Sequence, residues 1–229
     1  MAALLVVVCV LAAANIGSRY VPGLLHVVLA PLIAGVLVLV ARAAGLTWHD
    51  LAMKRSTLRR GIEYAALAVT GTLVVYLVAV LWPVTQQWFL DTRYRAGGSA
   101  LAFAALVAIP VGTVLLEEVA FRGVLWGLVS RRFGRFAATG VTSSLFGLWH
   151  ILPSLSFSRD NRAVTAAVPH LAQVRPLVVI GTVVFTTLAG VVLAELRRRS
   201  GSLIAPAALH WATNALGVLL SGLVWAQGG

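Results

Sequence analysis

Apolar residues run along this chain in long blocks, and the charged residues fall almost entirely in the short segments between them. About 20 apolar residues in helical form cross the hydrocarbon of a bilayer. The blocks therefore predict helical spans at Ala2–Ile16, Val21–Ala44, Ile62–Trp82, Ser99–Leu116, Phe136–Leu152, Leu177–Leu196 and Leu203–Trp225, with the fourth continuing as helix through Phe121–Ser130. Pro22 is placed to start the second span and Pro31 to kink it. No Lys or Arg precedes the first block, which favours a transmembrane helix there over a secretory leader. The expected fold class is all-α: a polytopic transmembrane helix bundle of about seven spans. No internal repeat or linker divides it, so residues 1–229 read as a single membrane-embedded domain.

Composition strengthens this reading. Of 229 residues, 60% are hydrophobic, and the mean hydropathy is +0.94. A soluble domain carries roughly 45–50%. The formal net charge of +11 raises the question of nucleic acid, but the basic residues cluster at Lys54–Arg60, Arg131–Arg135 and Arg197–Arg199, as the positive-inside rule places them. A lipid bilayer is the expected partner and nucleic acid is not. With these clusters in the cytoplasm, seven spans put the N-terminus inside, and the chemistry described below is expected to open toward the cytoplasm. The lone Cys9 excludes an intrachain disulfide and a cysteine metal cluster, and reads as a packing residue.

Seven acidic residues occur in the chain, and two of them, Glu117 and Glu118, stand together inside an apolar run. A charge at membrane depth is costly unless it is paired or faces a wet cavity. On a helix Glu118 and Arg122 are i and i+4 and can pair, whereas Glu117 is turned about 100° away and is left available. Three more polar residues lie inside spans: His150, His210 and Asn214, the last two i and i+4 on one face. Measured from the basic end of each helix, at about 1.5 Å per residue, Glu117, His150 and His210 lie roughly 21, 22 and 17 Å deep. They can therefore meet at one level.

A buried carboxylate beside a neutral imidazole can deprotonate water, while a second imidazole and an amide can hold an oxyanion. Glu117, His150 and His210 equally make a three-ligand set for a divalent zinc, though no HExxH spacing supports it. No cofactor is favoured. His26 and His49 are expected at the interface and His170 in a loop over 153–176, with Asp50, Asp91 and Glu195 as solvated charges.

Glu117-Glu118-Val119-Ala120-Phe121-Arg122-Gly123 resembles the EExxxR motif of the CPBP intramembrane proteases. Phe146 to His150 resembles their FxxxH motif, and His210-Trp211-Ala212-Thr213-Asn214 their HxxxN motif. That family includes type II CAAX prenyl endopeptidases and bacteriocin-immunity and lysostaphin-resistance-like proteins. The resemblance implies an endopeptidase, with residues 99–225 as its catalytic part, cutting near the C-terminus of a membrane-associated peptide or protein substrate, prenylated or not. Glu117 and His150 would activate water, His210 and Asn214 would hold the oxyanion, and Glu118, Arg122 and Phe146 would support them. A multi-pass protein of the bacterial cell membrane is expected. The alternative from the residues alone is a non-catalytic immunity factor, scaffold or small transporter.

Overall fold

The computed structural model describes residues 1–95, 97–160 and 171–227, without the side chains of 156–160 and 171–175. Among the described residues it is 87% helical and has no strands. In lipid only closed internal hydrogen bonding satisfies the backbone, so apolar blocks of this length become helices. They are α1 (Ala2–Gly17), α2 (Gly23–Ala43), α3 (Leu58–Leu81), α4 (98–133), α5 (135–149), α6 (Ile151–Asp160), α7 (Leu171–Ser200) and α8 (Ile204–Ala226).

By length and composition five helical stretches are able to cross a membrane, and one of them, Gly98–Leu155, holds both α4 and α5. The break between those two is Gly134, at φ 81° and ψ 170°. That conformation is essentially reserved for glycine, and the chain reverses there within the Arg131–Arg135 cluster. The remaining apolar helix, α1, is shorter, at 16 residues. Pro22 caps α2 and Pro31 lies within it.

Two boundaries differ from the sequence reading. The expected polar loop over 153–176 is helical at both ends, as α6 and the start of α7, and only 161–170, with His170, falls outside the described residues. Pro153 is the third residue of α6, where the first turn leaves its missing N–H without consequence. The segment after α2, expected as a basic loop, buries Leu46, Leu51 and Ala52 against the bundle. Thr47 and Asp50 brace it through reciprocal hydrogen bonds.

The core is small and lies around α4. Leu37, Leu46, Leu51, Phe121, Val124 and Leu125 are almost fully buried, whereas Leu24, Leu32, Leu39, Leu67, Val75 and Leu81 face outward. Outward apolar side chains suit a lipid surround, where helices associate through close packing of small residues. Gly147 shows this: a Cβ there would run into the Thr187 hydroxyl and the Val183 carbonyl, so α5 and α7 cross backbone to backbone. Cys9, expected to pack inward, is exposed on the outer face of α1.

Candidate active site

Helix α4 is not a plain α-helix where it matters. Ala104–Val114, around Pro110, and Glu118–Leu125 are π-helical, a widening often seen at functional sites. Every residue from Leu116 to Trp126 is buried. Glu117 is 6% exposed and Glu118 and Arg122 are each 1% exposed.

The Arg122 Nη1 donates to Glu118 Oε1 at 2.9 Å, as the i, i+4 spacing predicts. Its guanidinium carbon also lies 3.9 Å from the centre of the Phe146 ring on α5. The same Glu118 oxygen takes a second donor, His210 Nδ1 from α8, at 2.8 Å. A carboxylate only accepts, so Nδ1 carries hydrogen, and the other imidazole nitrogen, Nε2, stands 3.7 Å from Glu117 Oε2. One imidazole therefore stands beside both carboxylates but bonds only Glu118.

Glu117 is held differently. Its Oε1 accepts from the indole Nε1 of Trp149 at 2.9 Å, and its Oε2 has no hydrogen-bond partner among the described residues. The Trp149 carbonyl in turn accepts from Asn15 Nδ2 on α1 at 2.9 Å. A cavity of about 190 Å³ reaches Glu117 from the α1–α2 side and is bounded by Asn15, Ser18, His26 and Trp149. That is room for several waters. His26, expected at the interface, thus shares a cavity with the glutamate.

Phe146 is the wedge between the histidines. Its ring meets His150 edge-on at 4.6 Å and His210 at 5.8 Å. The Nδ1 of His150 lies 2.8 Å from the Phe146 carbonyl. Since a carbonyl only accepts, Nδ1 donates and the neutral ring keeps a lone pair on Nε2. No hydrogen bond joins His150 to either glutamate among the described residues. Asn214 lies one turn beyond His210 but is exposed, on the wall of a separate cavity of about 600 Å³. The structure thus gathers Glu117, Glu118, Arg122, Phe146 and His210 into one cluster, sets His150 at its edge and leaves Asn214 exposed on the wall of the other cavity.

As arranged, these side chains do not make a zinc site: among the described residues no three His, Cys, Asp or Glu groups converge as ligands. The Nδ1 atoms of His150 and His210 are engaged by Phe146 and Glu118.

Residues 98–216, just over half the chain, match the family described as type II CAAX prenyl endopeptidase Rce1-like. The chain belongs to that family. No curated protein and no solved structure matches it. For this Rce1-like chain, membership together with the apolar helices makes it an integral membrane protein of a protease family. The matched region covers all three sequence motifs.

Some residues of the site were invisible as motif positions. Trp149 is one, although a buried tryptophan usually needs a partner for its N–H, which was the available signal. Arg197 is another. Counted with the basic cluster, it is in fact 6% exposed, donates through Nε to the Arg122 carbonyl at 2.9 Å and lies 3.6 Å over the Trp126 ring. Helix phase distinguishes it from Arg198 and Arg199, because it shares a face with buried Leu193 and Ala194. Asp91, expected as a solvated charge, is 7% exposed, caps a turn and takes Arg93 at 2.6 Å. It lies in the connection after α3, where α8 covers it through Trp225.

Proposed function

We propose that this chain is an intramembrane endopeptidase that hydrolyses a peptide bond near the C-terminus of a membrane-associated substrate. In this reading residues 1–229 form one membrane-embedded unit and 99–225 carry the activity. The observation that carries it is the unequal setting of the glutamates: each keeps one buried oxygen unpartnered among the described residues, but Arg122 and His210 both bond Glu118, while Glu117 borders a cavity with room for water. Glu117 is the general base that takes a proton from water, and the bare Nε2 of His150 is the second acceptor that orients that water. Asn214 donates to the oxyanion through its amide, and His210, whose Nδ1 hydrogen is engaged by Glu118, donates through Nε2 once that nitrogen has gained a proton. Glu118 and Arg122 fix His210, and Phe146 fixes both imidazoles. No step uses a metal.

The test compares membranes holding the native chain with membranes holding Glu117→Gln, which keeps the shape and removes the base. New peptide C-termini should appear only with the native chain. A bilayer proteome identical in the two would sink the proteolytic reading and leave the scaffold, immunity or transport alternatives.

A further inference from the structure

The seam between α1 and the α4–α5 pair takes no part in the glutamate chemistry, and it is only partly closed. Along α1 the buried residues are Val7 and Leu11. Two cavities lie on this seam. One, of about 190 Å³, is at the arginine end, where Leu4 of α1 borders it together with Leu128, Arg131, Arg132 and Phe133 of α4. The other, of about 150 Å³, is deeper in the bundle and bounded by Val8, Ala12, Leu145 and Leu148, with Asn15 and Trp149 at its far end. Leu4, Val8 and Ala12 follow at intervals of four, so one face of α1 runs past both cavities. Asn15 lies eleven positions beyond Leu4, about 16 Å along the axis, and one leaflet of hydrocarbon is about 15 Å deep.

The mouth of this seam is cationic. Arg131, Arg132 and Arg135 are exposed, and none of them pairs with a carboxylate among the described residues. Arg131 donates through Nη1 to the Gly45 carbonyl at 2.8 Å, which holds its guanidinium at the mouth. Asp50 feels the charge of Arg131, but its carboxylate is bonded by Thr47 instead. Phe133 and Phe136 are 56% and 80% exposed, with the guanidiniums of Arg132 and Arg135 set 5.5 and 5.0 Å from their ring centres. Exposed phenylalanine beside arginine suits the boundary between acyl chains and headgroups. Basic pockets between helices at the positive-inside face are built to take anionic headgroups. We infer that the seam binds one anionic phospholipid, its phosphate between Arg131 and Arg132 and an acyl chain laid along Leu4, Val8 and Ala12 toward Trp149. A neutral lipid would leave the guanidiniums unmatched, and a free phosphate would leave the apolar length uncovered. The inference stands apart from the proteolytic reading.

The test is lipid binding to the purified full chain in detergent, read by native mass spectrometry, with dipalmitoyl phosphatidylglycerol as the probe and dipalmitoyl phosphatidylcholine as the neutral control. One arginine beside an anionic headgroup is worth about fivefold in affinity, so phosphatidylglycerol should bind at least about fivefold more tightly than phosphatidylcholine. Arg132→Gln removes a side chain that makes no hydrogen bond among the described residues, and it should cost about fivefold. Arg131→Gln with Arg132→Gln should cost about 25-fold. Arg59→Gln with Arg60→Gln removes the same charge from α3 at the same end of the bundle and should leave binding unchanged. Ala12→Trp, which fills the deeper cavity from α1, should weaken the dipalmitoyl probe and leave dihexanoyl phosphatidylglycerol, too short to reach it, as before. Equal affinity for the two headgroups, an equal loss from the Arg59 and Arg60 pair, or a dipalmitoyl affinity indifferent to Ala12→Trp would each overturn the inference.

Discussion

Arg122→Ala should be among the most damaging single changes in the chain. The guanidinium is buried, bonds Glu118 at 2.9 Å and rests on Phe146 at 3.9 Å. Removing it strands a carboxylate that is 1% exposed. Breaking a buried pair by deleting one partner costs about 3–5 kcal/mol. For a chain of this size 1 kcal/mol corresponds to about 2–4 °C in Tm, so the fall should be roughly 6–20 °C. Glu117→Gln keeps an acceptor for Trp149 and loses no ion pair, so its cost should stay within about 1 kcal/mol, or roughly 4 °C. Tryptophan fluorescence during heating of the detergent-solubilised chain measures both. A double-mutant cycle of Glu118→Gln with Arg122→Met should show coupling of about 0.5–3 kcal/mol. Equal Tm losses for Arg122→Ala and Glu117→Gln, or strictly additive cycle energies, would refute the division of labour between the glutamates.

Trp149→Phe should lower turnover at least about tenfold, the loss of one hydrogen bond to the base, and should lower Tm by about 2–12 °C because it strands a buried oxygen of Glu117 even though the ring still packs against Phe121. Arg197→Lys should lower Tm clearly, because a lysine cannot both donate to the Arg122 carbonyl and stack on Trp126, whereas Arg198→Lys should leave Tm where it is. For Asp50, burial works to raise the carboxyl, but the bonds from Thr47, with Arg131 and His49 nearby, outweigh it and hold the group below its ordinary 3.8. Its contribution is therefore present above about pH 4 and lost as pH falls through the lowered value, so the Tm gap between the native chain and Asp50→Asn should close on acidification. Exhaustive chelation should leave cleavage intact, and stoichiometric zinc with zinc-restored activity would refute the metal-free scheme.

Much of this architecture is legible in the sequence because lipid admits so few backbone solutions. Each apolar block is a helix, and the Glu118–Arg122 pair follows from a spacing of four. What escaped depends on neighbours that periodicity does not name. The helical ends of the 153–176 segment contain polar residues and proline, which read as loop. Leu46 and Leu51 lie in a segment read as a basic loop, although they are buried against the bundle. Arg197 stands in a run of three identical residues, and only its phase on α7 turns it inward.

The place of His210 beside both glutamates also has no sequence signature. A regular helix sets adjacent side chains about 100° apart, which suggests one glutamate for pairing and one for chemistry. Yet the imidazole donates to Glu118 at 2.8 Å while its other nitrogen stands 3.7 Å from Glu117, beyond hydrogen-bond reach, on a ring that enters from α8 where α4 turns π-helical. The glutamates are thus distinct in their partners although one ring lies beside both. A His210→Gln variant separates two roles of the ring: its amide can still donate to Glu118 but sets no second ring nitrogen beside Glu117. Near-native Tm with lost cleavage would show that the second nitrogen serves catalysis, and a Tm loss matching that of Arg122→Ala would show that the ring is held for folding alone.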